Sequence, residues 1–309
     1  MISILLASCN GDKYIREQID SLLKQSVQDF KLFINDDKST DDTFSIISEY
    51  AGSYPDKVFI AQNAVNSGGA KNNFIKMMIS HKDDYVMLCD QDDIWKPNKI
   101  EKSLAKIKEM EAQYGESKPL LVHTDLTLVD EKLEIIAPSY MKKTKARFER
   151  NKLNNLLIHN ILTGCSVMYN RALAKLLSAE PDYMIMHDWW IGLVASTFGE
   201  IGAVYEPTVL YRQHDSNEFG ANRRNPVSHL FHKLFHFREV RETLSNTYRQ
   251  AGSFSSLYSE RLPRGLRELV AAYASIPQKK RTDRLRILFR YGIWKDGFIR
   301  RSAQILAVI

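Results

Sequence analysis

The chain has 309 residues, 44% hydrophobic and 26% charged, with a formal net charge of +6. This is an ordinary globular composition, with enough apolar material for one large domain or a domain with an appendage, and it excludes a low-complexity chain. The charge is unevenly spread: residues 223–309 hold 18 Lys and Arg against 6 Asp and Glu, while the first 222 residues hold 25 against 31.

Residues 2–7 form a nearly continuous apolar run, as buried parallel strands do. Ser8-Cys9-Asn10-Gly11 breaks it with turn chemistry. Apolar residues at helical spacing (Ile15, Ile19, Leu22, Leu23) predict a helix over 14–25, and a second strand over 30–34 ends in Asn35-Asp36-Asp37-Lys38-Ser39. A helix through about residue 50 follows, with Asp41 and Asp42 where the helix dipole favours acids. Then come a strand over 57–61, the loop Asn66-Ser67-Gly68-Gly69-Ala70, a helix over 72–80, a strand over 85–89 and an amphipathic helix over 98–114. This fourfold strand–helix alternation predicts a doubly wound, largely parallel α/β sheet with helices on both faces. Polar residues end strands one, two and four, and in such a sheet those ends make one crevice.

Further on, residues 119–124 predict a fifth strand, 138–152 a basic mobile loop and 153–160 a short helix. Residues 161–169 read as a loop entering a strand, 171–178 as helical, and His187-Asp188-Trp189-Trp190 opens a helix to about 198. A last strand over 203–211 ends in Arg212-Gln213-His214.

The chemistry concentrates in Cys89-Asp90-Gln91-Asp92-Asp93, where three carboxylates follow a buried strand within four residues. Like charges so crowded raise one another's cost of ionisation. A divalent cation relieves that cost, and hard oxygen ligands suit Mg²⁺ or Mn²⁺. The alternative is a solvated acidic turn that caps the next helix. A Walker loop, a G-x-G-x-x-G fingerprint after the first strand and a G-x-S-x-G elbow are all missing, which weakens ATPase, dinucleotide and serine-hydrolase readings. A Ca²⁺ loop fails because Trp95 stands where glycine is needed. Cys9, Cys89 and Cys165 are scattered and odd in number, so neither a disulfide framework nor a zinc site is expected and a reducing compartment is. The first ten residues read as a strand and not as a signal peptide. No apolar run reaches the roughly 18 residues of a spanning helix. Taken alone, Asp188 reads as a helix N-cap, Trp189 and Trp190 as core, and His214 as a surface histidine.

Order and spacing change that reading. From Ala7-Ser8-Cys9-Asn10-Gly11 through the Asp36-Asp37 segment, Asn66-Ser67-Gly68-Gly69, Asp90-Gln91-Asp92-Asp93-Ile94-Trp95, Thr163-Gly164-Cys165, His187-Asp188-Trp189-Trp190 and Tyr211-Arg212-Gln213-His214, the chain resembles family 2 glycosyltransferases, rhamnosyltransferase-like members in particular. The resemblance covers roughly residues 1–215. It implies a GT-A fold that transfers a sugar from a nucleotide-diphosphate donor with inversion, using Mg²⁺ or Mn²⁺. Donor or nucleotide contacts are then expected at Ala7, Ser8, Asn10, Asp37, Gly69, Asp90 and Gln91. Within that set Asp37 would face the base, and Asp90 the ribose and donor sugar. Asp92 matches the metal carboxylate of the D-x-D motif, and His214 a metal or pyrophosphate contact. Asp188 matches the catalytic base. Thr163, Gly164, Trp189 and Trp190 are acceptor-side candidates. One position departs from the pattern: Cys9 stands where an aromatic residue is frequent.

The resemblance further implies a donor such as dTDP-rhamnose and a glycan or polyprenyl-diphosphate-linked acceptor, in surface polysaccharide synthesis. The domain expectation is a catalytic domain over 1–222 and a basic helical region over 223–309. That basic region sets Phe231, Phe235, Phe289, Trp294 and Phe298 among arginines, a composition suited to a membrane interface, to packing or to assembly. The expected location is the cytoplasm, peripheral at the inner face of the membrane. The rival readings are a sugar-nucleotide nucleotidyltransferase, which should carry a Gly- and Arg-containing signature after strand one, and a nucleic-acid-binding protein. The acidic front argues against the second, and no nucleic-acid partner is expected.

Overall fold

A computed structural model describes residues 1–214 and 237–309, which divide into two units. The first gathers Met1–Phe148, Leu162–Glu180 and the described part of the stretch that begins at Phe198. The second gathers Glu149–Ile161, Pro181–Thr197 and the described residues from 237 onward. The segment expected to be catalytic therefore contributes two stretches to the second unit. The boundary expected after residue 222, with Phe231 and Phe235, lies outside the described residues.

The first unit is a nine-stranded sheet carrying helices, the mostly parallel α/β fold that the alternation predicts. Its order begins β3(Val58–Gln62), β2(Phe30–Asp36), β1(Ile2–Ser8), β4(Tyr85–Asp90), all parallel. It continues β8(Val167–Asn170), β6(Leu120–Val129), β9(Glu200–Arg212), β5(Ile94–Trp95), and β7(Ile135–Ala137) pairs with β6. Antiparallel pairing enters at β8. Every residue of β1 is buried, as a central strand covered on both faces requires. Each fully buried Leu or Ile there contributes about 1.5–3 kcal/mol of transfer free energy. Helices α1(Ile15–Leu23), α2(Thr43–Ser53), α3(Ala70–Ser80) and α4(Lys99–Tyr114) complete the alternation. Register places Ser8 beside Asp36 and Ala7 beside Asp90, so three polar strand ends share one edge.

Four features depart from expectation. β6 runs on to Val129, pairing with β9 along its length and shifting register around Asp125. β5 and β7 are ladders of two and three residues too short to read from a pattern. The basic stretch 138–152, expected to be a mobile loop, contains α5(Tyr140–Thr144). Its N-cap Ser139 accepts from the Lys142 amide, and buried Asp125 accepts from the Ser139 hydroxyl and, at 3.1 Å, from the Met141 amide. The capping bonds outweigh a sequence poor in apolar residues. Beyond β8, α7(Arg171–Ala174) is shorter than expected and is capped by Asn170.

The second unit is helical: α6(Leu153–Leu156), α8(His187–Phe198, all but its last residue), α9(Phe237–Leu257), α10(Arg264–Ala274), α11(Arg281–Tyr291) and α12(Phe298–Val308). Trp190 meets Phe254 edge-on at 5.4 Å, and a Thr247–Tyr273 hydroxyl bond of 2.8 Å ties α9 to α10. Gln250 and Ser253 accept from the amides of Ile185 and Tyr183, which fastens the approach to α8 onto α9. Among the described residues no helix is long and apolar enough to cross a membrane.

Candidate active site

The edge formed by β1, β2 and β4 is built as a set of clamps. Past β1 the chain turns at Asn10, whose φ of 48° is tolerated by asparagine. The Asn10 amide donates to Ser39 Oγ (2.9 Å), and its Oδ1 accepts from the Thr40 amide (2.8 Å). A Cβ on Gly11 would lie 2.2 Å from Gln91 Oε1, so only glycine lets Gln91 cross the turn. Gln91 then accepts from the Cys9 amide (2.9 Å) and donates to the Cys9 carbonyl (3.0 Å). Both ends of the Gln91 amide thus hold backbone, and the residue shapes the wall beside Ala7 and Ser8.

Asp36 and Asp37 are buried at the end of β2. Asp36 accepts from Ser8 Oγ (3.2 Å), the Ser39 amide (2.9 Å) and Gln62 Nε2 (2.9 Å). Asp37 accepts from Asn63 Nδ2, the Ser67 amide and Ser67 Oγ, each at 2.7 Å. Its carboxylate organises the Asn66–Gly69 loop, while Asn66 Nδ2 donates to the Asp37 carbonyl (2.9 Å) and lies 3.6 Å from Cys9 Sγ. Gly69, at φ 123°, starts α3 from a conformation that side chains disfavour.

At the end of β4, Asp92 Oδ2 and His214 Nε2 meet at 2.8 Å, two side chains 122 residues apart. His214 also packs on the Tyr14 ring at 5.0 Å. Asp93 is fully buried and accepts from the Arg212 amide (3.1 Å). Burial first, then the neighbouring Asp92 and Asp90 carboxylates, push its carboxyl well above the usual range. Ligating atoms of Asp90, Asp93 and Cys165 lie within 4.8 Å of one another. Burial also pushes the Cys165 thiol well up, which keeps it neutral and a poor ligand for a hard cation. Asp92 and His214, in contact at 2.8 Å, offer the oxygen and imidazole donors that Mg²⁺ or Mn²⁺ accept.

Arg212 is the residue the motif reading passed over, although it stood in the tetrapeptide that ends in His214. It is 2% exposed. Its Nε donates to the Asp92 carbonyl (2.9 Å), one Nη to the Glu131 carbonyl (2.9 Å), and the other Nη pairs with the Glu17 carboxylate. The guanidinium lies 4.5 Å over the Tyr14 ring. One side chain thereby bolts the β9 end to the carboxylate turn and to α1. Lys99 was missed as well. It is wholly buried, 4.6 Å over the Trp95 ring, with its pKa pushed down to about 8 by desolvation. On the same unit Thr163 precedes a tight turn, its carbonyl accepting from the Ser166 amide (2.9 Å), and Gly164 is buried within that turn.

Asp188, Trp189 and Trp190 belong to the second unit. Asp188 lies in the first turn of α8, where the helix dipole favours a carboxylate. Its Oδ1 accepts from the Trp189 amide (2.6 Å) and from Asn160 Nδ2 (3.1 Å). Trp189 Nε1 donates to the Leu156 carbonyl (2.5 Å), whereas Trp190 is completely buried in the aromatic cluster with Phe254 and Tyr258.

Comparison with known proteins puts this geometry in context. Residues 3–177 match the model of the family described as "Glycosyl transferase family 2". Over 229 residues the chain is 28% identical to the dTDP-rhamnosyl transferase RfbG of Shigella flexneri, covering 70% of this chain and 74% of that protein. Among solved structures, Staphylococcus aureus TarS 1–349 in complex with UDP-GlcNAc superposes with a TM-score of 0.59 at 16% identity, covering 94% of this chain and 80% of that one. The mannosyltransferase PcManGT of Pyrobaculum calidifontis, in complex with GDP-Man and Mn²⁺, gives 0.53 at 15% identity over 99% of this chain and 78% of that one. At such identities the likeness is one of fold.

Proposed function

Because the chain belongs to glycosyl transferase family 2, we propose that it moves a sugar, with inversion, from a nucleotide-diphosphate donor on the first unit to a glycan or polyprenyl-diphosphate-linked acceptor. The observation that carries this is the Asp92–His214 pair at 2.8 Å, beside the polar ends of β1 and β2. Ala7, Ser8, Asn10 and Gly69 line the nucleotide pocket, Gln91 and Asp37 hold its walls, and Asp90 faces the ribose and donor sugar. Asp92 and His214 are the residues that would hold Mg²⁺ or Mn²⁺. When bound there, the cation supplies Lewis-acid stabilisation to the charge that grows on the diphosphate.

Asp188 takes the proton of the acceptor hydroxyl as that oxygen bonds the anomeric carbon from the face opposite the leaving group. The bond from that carbon to the diphosphate breaks, and the nucleoside diphosphate departs with the electron pair. Thr163, Gly164 and Trp189 are the acceptor-side candidates. Trp190, the fourth acceptor-side candidate, is completely buried against Phe254 and Tyr258 and would act only through Trp189 beside it. The name of the Shigella relative supports dTDP-rhamnose as the donor and synthesis of a surface polysaccharide as the setting. A lipid-linked acceptor would put the enzyme at the cytoplasmic face of the membrane.

A donor screen tests this. Nucleoside diphosphate release is measured with dTDP-rhamnose, UDP-GlcNAc and GDP-mannose, each with Mg²⁺, Mn²⁺ or chelator. Release from dTDP-rhamnose that stops on chelation is expected. Release indifferent to chelation would remove the metal from the reading, and preference for another donor would remove rhamnose.

A further inference from the structure

Helix α12 shows solvent the wrong chemistry for an ordinary surface. Phe298 is 86% exposed, Ile299 60% and Leu306 53%. Phe298, Ser302, Leu306 and Ile309 recur at the three- and four-residue spacing of a single helix face. The opposite face, with Gln304, Ala307 and Val308, is the buried one. The helix therefore packs on one side and leaves an apolar stripe on the other. Phe289 of α11 is 69% exposed and meets Trp294 edge-on at 4.9 Å, and the Arg301 guanidinium lies 5.7 Å from the same Trp294 ring. Trp294 thus connects the exposed aromatic of α11 to the start of α12 in one patch.

The surroundings of this patch are cationic. Residues 279–301 hold nine Lys and Arg against two Asp. Both acids are already matched, Asp283 to Arg286 at 2.7 Å and Asp296 to Arg150 at 3.7 Å. At about 100° per residue, exposed Arg301 borders the stripe, and exposed Arg300 adds a second cation in the first turn of the helix. A twofold dimer would set this face against itself and bring the same cations into opposition. An anionic lipid surface accepts both components at once, the apolar side chains entering the headgroup boundary and the arginines meeting phosphates.

We propose that the exposed face of α12, extended by Phe289, docks the protein onto an anionic membrane surface. The proposal concerns residues outside the transfer chemistry and stands independently of it. The full chain is sedimented with vesicles of phosphatidylcholine alone, or of phosphatidylcholine with phosphatidylglycerol, at low and high salt. The wild type, Phe298→Ser/Ile299→Ser/Leu306→Ser and Arg300→Gln/Arg301→Gln are compared. All five positions are exposed, so the folds should survive, and a thermal melt verifies that. The wild type should partition to the anionic vesicles only. The triple variant should lose roughly tenfold or more of that partition. The arginine variant should bind more weakly, with less sensitivity to salt. Nucleoside diphosphate release from soluble donor should be equal in all three. A wild type left in the supernatant with anionic vesicles, or a triple variant that partitions like wild type, would overturn the proposal. A triple variant that turns a dimer into a monomer in light scattering, with vesicle binding unchanged, would assign the face to a second copy of the chain instead.

Discussion

The two units hold their carboxylates in opposite ways. In the first, Asp36, Asp37, Asp92 and Asp93 follow parallel strands and are bound by residues of other strands and their ends, Asp36 and Asp37 by Gln62 and Asn63, 26 residues on, and Asp93 and Asp92 by Arg212 and His214, 119 and 122 residues on. In the second, Asp188 sits in a helix first turn, held by its neighbour's amide and by Asn160, 28 residues away. A pocket for a charged donor needs walls that do not relax as charge moves, and sheet topology supplies them from many directions. The proton-acceptor role proposed for Asp188 calls for a defined position on a rigid element, and a helix start provides one.

Several substitutions would break or sharpen this contrast. Asp92→Ala should have the largest effect, a loss on the order of 10³-fold or more in transfer, because a metal contact is worth several kcal/mol. The fold should persist, and activity unchanged at saturating donor and metal would end the assignment. Asp188→Asn should lower turnover by about 10²–10⁴-fold with donor affinity nearly unchanged and stability within about 1 kcal/mol. If Asp188 only starts its helix, the variant will instead lose stability and keep its turnover per folded molecule.

Arg212→Gln should act on both properties of the first unit. It should cost roughly 2–3 kcal/mol of stability, because it strips partners from Glu17 and from the part-buried carbonyls of Asp92 and Glu131. It should also raise the donor KM, because the turn bearing Asp92 loses its anchor. Arg212→Lys keeps the charge without the planar fork and should recover stability better than KM. If Arg212→Lys restores neither or both, Arg212 does not position Asp92. Asp37→Asn should cost about 1–3 kcal/mol, since one oxygen cannot accept all the bonds from Asn63 and Ser67, and chemical denaturation would read the difference.

The smallest effect is one the units share. Burial pushes His123 of the first unit and His187 of the second down to about 3. Between that value and 6.5 the unfolded chain binds protons that the folded chain does not, so stability falls as pH falls through that window. His123→Phe should reduce the stability lost between pH 7 and pH 5 by about 1–2 kcal/mol. Denaturation curves at the two pH values would measure it, and an unchanged slope would mean that His123 gains its proton without unfolding.

Much of the first unit was legible in the chain itself. The apolar run of β1, the 3.6-residue spacing of α1 and the polar residues after β1, β2 and β4 are local signals, and they identify the α/β alternation and the edge bearing the candidate site. The carboxylate triplet pointed to a cation for the same local reason, since crowded like charges need compensation. Tertiary structure decided the rest. The two-residue strand β5 exists because Val209 and Leu210 of β9 lie opposite Trp95 and Ile94. α5 forms in a basic stretch because Asp125, buried beside a register shift, binds Ser139 and the Met141 amide. Gln91 holds the Cys9 backbone because β1 and β4 are neighbours and Gly11 leaves room. Arg212 becomes the bolt of the site only when β9 comes alongside β5, 119 residues after Asp93. A residue's own neighbours in sequence determine whether it is helical, extended or turning. Its hydrogen-bond partners across a sheet depend on which strands pair and in what register, and no local pattern encodes that.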